Sequence, residues 1–206
     1  MSAIEIRTMH KADLPAVAEL HRQSYPSDHF TSRFSKALLI DFYRELLKQN
    51  QYCLVAEEKL NVQGSAEIVG VIIAGERCDQ AVQHFSKTHV LSLAITLLRN
   101  PEFLRDKIAG AIHMWRGAQG FQSRAKLVYL NVLVHPRVQG KGVAQLLNDF
   151  FETRAVVDGF SSYTLSVKKN NARAIGFYQK SGFVVEHETK NAFYFLKNLP
   201  LKKAAM

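Results

Sequence analysis

The 206-residue chain has only two cysteines, Cys53 and Cys78. That excludes a disulfide framework and a thiolate metal site. It has no long apolar run: the longest, Val90 to Leu98, is too short to span a bilayer, which takes about 20 residues. Its opening, MSAIEIRTMHKADL, mixes charges and has no apolar core of signal length. These absences make a reduced, cytoplasmic protein with no membrane span the expectation. Proline and glycine nowhere gather into a linker, and no repeat or low-complexity tract divides the chain. One domain over residues 1–206 is expected, large enough for a real core. Acidic residues are the scarcer charge, 18 against 27 Lys and Arg, for a net +9. Such a balance suits an anionic partner, whether nucleic acid, anionic lipid or a phosphorylated molecule. Basic residues, however, come in short pairs such as Lys168-Lys169 and Lys202-Lys203, without aromatic interleaving. Nucleic acid is therefore not the expected partner.

What is present is ordinary globular composition, 47% hydrophobic and 22% charged, in a mixed order of elements. Ile4 to Arg7 reads as a strand. Asp13 reads as the N-cap of a helix with Pro15 in its first turn. A polar loop around Tyr25 to Thr31 precedes a helix from about Ser35 to Gln49, whose apolar pairs Leu38/Leu39, Phe42/Tyr43 and Leu46/Leu47 repeat at helical spacing. Tyr52 to Glu57 and Glu67 to Ala74 read as a hairpin. Lys126 to Val134 is a strand apolar on nearly every position, as a strand covered on both faces should be. Then come a helix from about Gly140 to Arg154, a strand at Ser162 to Val167, a helix from Asn171 to Ser181 and a terminal hairpin of Phe183 to Glu186 with Ala192 to Leu196. This strand-helix alternation predicts an α/β (α+β) fold with a partly parallel sheet. Residues 77–124 form a helical insertion, broken at Asn100-Pro101, where Asn100 is expected to cap a second helix. Leu104, Ile108, Ile112 and Trp115 mark one face of that helix. The stretch VLSLAITLL before it is apolar all round and must be buried.

The chemistry is carried by VHPRVQGKGVAQLL, Val134 to Leu147. A strand ends at Pro136, and a loop with Gly140 and Gly142 opens a helix. Glycines let backbone N–H groups approach a ligand. The helix start adds unpaired donors and the positive end of its dipole. Together they suit a phosphate or pyrophosphate, and Lys141 could add a charge. The nucleotide signatures GxGxxG and GK[ST] are both absent. A second motif, NARAIGFYQKSGF (Asn171 to Phe183), sets Asn171 at a helix start and Tyr178 two turns on, roughly the same side.

Together the two motifs resemble the GNAT acetyltransferase superfamily. Its pattern V-x-P-x-x-[QR]-G-x-G-x-[GA] is matched by Val134, Pro136, Gln139, Gly140, Gly142 and Ala144. Its pattern N-x-x-A-x-x-[FL]-Y-x-K-x-G-F is matched by Asn171, Ala174, Phe177, Tyr178, Lys180, Gly182 and Phe183. The resemblance implies a mixed, mostly antiparallel sheet with a parallel pair splayed around the coenzyme site and helices on both faces. Residues 77–124 fall outside it. It implies acetyl-CoA as cosubstrate: backbone groups of Leu133 and Val134 meet the pantetheine arm, the loop of Gln139, Gly140, Lys141, Gly142, Val143 and Ala144 holds the pyrophosphate, and Asn171 contacts the coenzyme arm. Tyr178 would be the catalytic acid that protonates the departing thiolate. No metal is required. Some relatives carry a glutamate base on the strand matching Tyr129 to Val134; here that strand offers Tyr129 and Asn131, so Glu76 and His29 stand as guesses for the base.

The acceptor implied is a small-molecule or peptide amine. The long insertion is similar to that of acetyltransferases of polysaccharide biosynthesis, which would suggest an amino sugar or sugar nucleotide. Between Arg77 and Arg124 lie seven Lys/Arg against three Asp/Glu, an excess suited to an anionic acceptor. The insertion is expected either to cap the acceptor mouth or to form a homodimer interface. The rival readings are a coenzyme-A-binding module without catalysis and a peptide or protein N-acetyltransferase.

Overall fold

A computed structural model describes residues 3–25, 27–59, 66–103 and 121–200. Its seven strands are β1 (Ile4–Thr8), β2 (Tyr52–Lys59), β3 (Ala66–Gly75), β4 (Leu127–Val134), β5 (Ser162–Lys168), β6 (Val184–Glu188) and β7 (Ala192–Asn198). They form one sheet in the order β1-β2-β3-β4-β5-β7-β6. The described α-helices are α1 (Leu14–Ser24), α2 (Lys36–Gln49), α3 (Cys78–Thr88), α4 (Val90–Arg99), α5 (Val143–Val157) and α6 (Ala172–Lys180).

Two helix starts show how local chemistry sets these bounds. The Ser35 hydroxyl accepts from Leu38 N–H at 3.2 Å and begins α2 as expected. Asp13 is used differently from the sequence expectation. Its carboxylate accepts from His10 N–H at 2.7 Å and pairs with Arg7 at 2.8 Å. It closes the short turn Lys11–Asp13 that leads into α1, and no side chain caps α1 itself.

Helices α1, α2 and α3 cover one face of the sheet, with Leu39, Tyr43, Leu46, Val55, Val71 and Phe85 in that core. Helices α5 and α6 cover the other, with Leu147, Phe151, Tyr163, Tyr178 and Phe195. Gly70 lets α5 come close: a β-carbon there would press on Leu147, Val143 and Ala56.

All strand pairs are antiparallel except β4 with β5, which touch only at Leu127–Tyr163 and Val128–Thr164. Beyond those pairs the strands part. The pairing of β4 with β3 explains the bend. Tyr129 opposes Ala74 and Asn131 opposes Ile73, so Leu130 is an extra residue. Such a bulge increases the twist and re-aims the side chains beyond it. Tyr129 and Val132 pack on the α5 face, whereas Leu130 and Leu133 pack on the α1–α2 face. The sequence reads β4 as covered on both faces. In the structure every second residue is only half-buried, and Leu130, Val132 and Val134 among them line the space where β5 parts from the strand.

The insertion departs from expectation at α4. Asn100 closes the C-terminus of α4 through Nδ2 to Thr96 O at 2.8 Å; the second helix it is expected to cap lies outside the described residues. Helix α4 has no buried residue, and Leu91 and Leu98 are 75% and 79% exposed among the described residues. Leu93 packs on the α1–α2 core, while Leu91 and Leu98 face outward, so VLSLAITLL is covered on one side only and not all round as its composition predicts. The helix face of Leu104, Ile108, Ile112 and Trp115 lies outside the described residues. The insertion's two ends are anchored. Phe103 packs on Phe30 at 5.7 Å, and Phe121 stacks on His187 at 4.4 Å while Arg124 pairs with Glu186.

Candidate active site

Where β4 and β5 part, a cleft of about 910 Å³ crosses the sheet. One wall is Leu130 to Val134 of β4, the other Ser166, Val167 and Lys168 of β5. The loop Gln139 to Gln145 and the start of α6 close one end; Ser24, Tyr25, Asp28 and His29 line the other. In size the cleft suits a cofactor-length ligand.

The loop end has the backbone geometry of an anion site. Gly140 and Gly142 have φ of 79° and 84°, a region that favours glycine. A β-carbon at either would meet nothing within 4 Å, so the requirement is for conformation and not for space. Gly142 is the N-cap of α5 and no side chain bonds to that end. The first-turn N–H groups have no intrahelical partner and point where the dipole favours an anion. Gln139 fixes the loop to the strand: its Nε2 donates to Val134 O at 2.9 Å, and Arg173 donates to its Oε1.

Of the residues singled out from the sequence, Leu133, Val134, Gln139, Gly140, Gly142, Val143, Ala144, Asn171 and Tyr178 all line the cleft. Lys141 does not; its side chain is exposed and outside the wall. The positive charges on the wall are Lys168, Arg173 and Lys180. Arg173 went unrecognised in the sequence, although its place in the first turn after Asn171 is a usable signal. Leu133 and Val134 present different groups. His135 N–H donates to Val69 O at 2.8 Å, so by the alternation of an antiparallel ladder the amide groups of Val132 and Val134 face the cleft and those of Leu133 face β3. Asn171 caps α6, its Oδ1 accepting from Ala174 N–H at 3.1 Å, which leaves its NH₂ for a ligand.

Tyr178 is 7% exposed, with its ring against Phe183, Phe195 and Phe177. Burial, with the nearby Tyr25 hydroxyl, raises its pKa well above the ordinary phenol value, so it stays protonated. Tyr25 is raised to about 12 by burial. The two base candidates separate. His29 lines the cleft and its Nδ1 is 2.9 Å from Thr31 Oγ1. Glu76 is exposed in the turn after β3, within electrostatic reach of Tyr52, and does not line the cleft; its proposed role as base is withdrawn.

Asp28 reaches across the cleft. It accepts from Asn170 Nδ2 at 2.9 Å, and Lys168 Nζ donates to its carbonyl at 2.8 Å. The Asn170 bond, with the Lys168 charge, holds its carboxyl below the usual range, and the two contacts staple the loop after α1 to the end of β5.

The splayed strands, the glycine cradle and the buried tyrosine coincide with a family match. The profile of the Acetyltransferase (GNAT) family matches residues 14–183. The chain belongs to that family. It is an acyltransferase, and its activity is acetyl-CoA-dependent acetyl transfer. Among curated proteins no relative matches by sequence. Solved structures share the fold. The PaiA N-acetyltransferase of Thermoplasma acidophilum, in complex with coenzyme A, is 18% identical with a TM-score of 0.58, over 95% of this chain and 99% of that one. YncA of Salmonella typhimurium, solved with acetyl-CoA, is 20% identical with a TM-score of 0.58, over 100% and 99%. The ribosomal-protein-S18-alanine N-acetyltransferase of Escherichia coli is 14% identical with a TM-score of 0.56, over 99% of each chain. No described helix of this acetyltransferase is long and apolar enough to cross a membrane.

Proposed function

We propose that this acetyltransferase moves the acetyl group of acetyl-CoA to a primary amine by direct attack on the thioester, with Tyr178 as general acid. The observation that carries the reading is a single cleft that joins an anion cradle at Gly140–Ala144 to a buried, protonated tyrosine. The coenzyme's pyrophosphate would sit on the first-turn N–H groups of α5, with Arg173 beside them. Its arm would run down β4, where the amide groups of Val134 and Val132 take the place of a missing strand neighbour. Asn171 NH₂ meets the arm from the other side.

A Lys-like amine in water titrates at about pH 10.4 and arrives mostly as ammonium. It must lose a proton before its nitrogen forms a bond to the thioester carbon. The carbonyl oxygen takes the negative charge, which backbone N–H groups can stabilise. The C–S bond then breaks, and the sulfur takes the Tyr178 proton. The amine's second lost proton restores the tyrosine through solvent.

The acceptor is read as a small-molecule or peptide amine; an amino sugar or sugar nucleotide belongs to that range. The deciding experiment is a thiol-release screen with acetyl-CoA against polyamines, amino sugars and peptide N-termini. Release of coenzyme A with formation of the N-acetyl product is expected for one class. Tight coenzyme A binding with no release against any class would favour the non-catalytic reading.

A further inference from the structure

The far end of the cleft holds a hydrogen-bonded chain whose direction can be read step by step. His29 Nδ1 accepts from Thr31 N–H, so it is an acceptor also toward Thr31 Oγ1, at 2.9 Å. The Thr31 hydroxyl therefore donates to His29, and its oxygen accepts from His21 Nε2, at 3.0 Å. His21 is buried; desolvation, with His29 nearby, holds its pKa down to about 3, so it carries a single proton, here on Nε2. Its Nδ1 accepts from the Tyr43 hydroxyl at 2.8 Å. The Tyr43 oxygen is left to accept, and the Asn131 side chain stands close enough to act on it as a donor. That contact uses the Asn131 NH₂. Its Oδ1 is buried without a partner among the described residues.

Asn131 is 9% exposed and lines the cleft. The bulge at Leu130 puts it on the α1–α2 side, away from the glycine cradle. Ser24 lines the same end, and its Oγ is likewise buried and without a partner among the described residues. A buried acceptor left unpaired forfeits its hydration without return, so it calls for a donor. The coenzyme arm is served by the backbone of Val132 and Val134 on the other side of the strand. Ser24 at the end of α1, and Tyr25 and His29 after it, line the same cleft as Asn131.

We infer that Asn131 is the clasp for the acceptor: its Oδ1 takes one N–H of the attacking primary amine, and Tyr43, His21 and Thr31 are positioning residues that hold the amide in that orientation. The inference rests on the reading of the protein as an amine acetyltransferase. It explains a preference for nitrogen. A neutral primary amine can give one N–H to Asn131 and still direct its lone pair at the thioester carbon. It retains a second N–H to lose during transfer. A hydroxyl has only one hydrogen, which cannot be both held and lost.

The test uses whichever of spermidine, glucosamine and an alanyl pentapeptide is acetylated fastest. Asn131→Leu should lower kcat/KM for that amine roughly 10- to 100-fold, as for one hydrogen bond to a reacting group. The acetyl-CoA Kd by calorimetry should stay at the wild-type value. Asn131→Asp, which restores an acceptor oxygen, should recover most of the loss. Tyr43→Phe leaves Asn131 in place but untethered, should cost several-fold with Kd unchanged, and carries the test if Asn131→Leu does not fold. Amine kcat/KM within twofold of wild type in either folded variant overturns the inference. So does a loss confined to acetyl-CoA affinity, which would assign Oδ1 to the coenzyme arm. If wild-type protein acetylates none of the three, the amine-acetyltransferase reading itself fails and this inference with it.

Discussion

The roles proposed for Tyr178 and Gly142 rest on different properties, so their replacements should fail differently. Tyr178→Phe keeps the ring that packs on Phe183 and Phe195 and removes only the proton donor. Turnover should fall roughly 10- to 10³-fold, below the top of the general-acid range because water can substitute, while calorimetry shows unchanged acetyl-CoA affinity. The pH profile is set by the same burial. Tyr178 must be protonated to act, and its pKa is raised, so activity is lost only above the raised value. kcat/KM for the amine should therefore climb with pH as the ammonium deprotonates, with no falling limb below about pH 10. A falling limb near neutrality would remove Tyr178 as the acid. Gly142→Glu strikes binding. Its φ of 84° costs a side chain about 1–2 kcal/mol, and the new carboxylate stands at the anion site. Acetyl-CoA Kd should rise at least about tenfold; equal affinity in a folded variant would end the cradle assignment.

Among the elements, β3 and β4 decide most. Their pairing creates the bulge that parts β4 from β5 and turns Asn131 toward Tyr43. The end of β3 is packed tightly as well. A β-carbon at Gly75 collides with the Asn50 side chain, which donates to Leu46 O at 3.0 Å and accepts from Cys78 Sγ at 3.2 Å. Gly75→Ala should destabilise the protein by about 1–3 kcal/mol, measured by chemical denaturation, with little change in acetyl-CoA Kd because Gly75 lies off the cleft wall. Helix α4 shows where pattern misleads. VLSLAITLL is apolar enough to demand burial all round, yet only Leu93 packs on the core and Leu91 and Leu98 are exposed among the described residues. Periodicity tells that a surface wants cover and not what supplies it.

Taken as a whole, the molecule is two cores on either side of one twisted sheet, pulled apart at a single seam. Ligand in that seam bridges β4, β5, α5 and α6, so it should stabilise the fold. Coenzyme A at 100 times its Kd adds about 2.7 kcal/mol. For a chain of this size that is a rise of roughly 5–10 °C in Tm, readable by calorimetry and, at the same coenzyme A concentration, cut to about half or less in Gly142→Glu.

The cradle and Tyr178 were legible along the chain because each is a local device. A positive-φ glycine at a helix start, or a tyrosine two turns after a cap, needs only its own neighbours to be specified. The family resemblance added their roles. Asn131 was visible as a polar residue in an apolar strand, but its aim was not. That depends on an extra residue opposite β3, and so on how two distant segments pair. The same holds for Glu76, a plausible base by position until the strand end carried it away from the cleft, and for Arg173, which becomes a wall charge only when α6 docks beside Gln139. Short-range chemistry is written in order along the chain; the partners of a buried polar atom are set by which strands meet, and that is fixed only when the sheet closes.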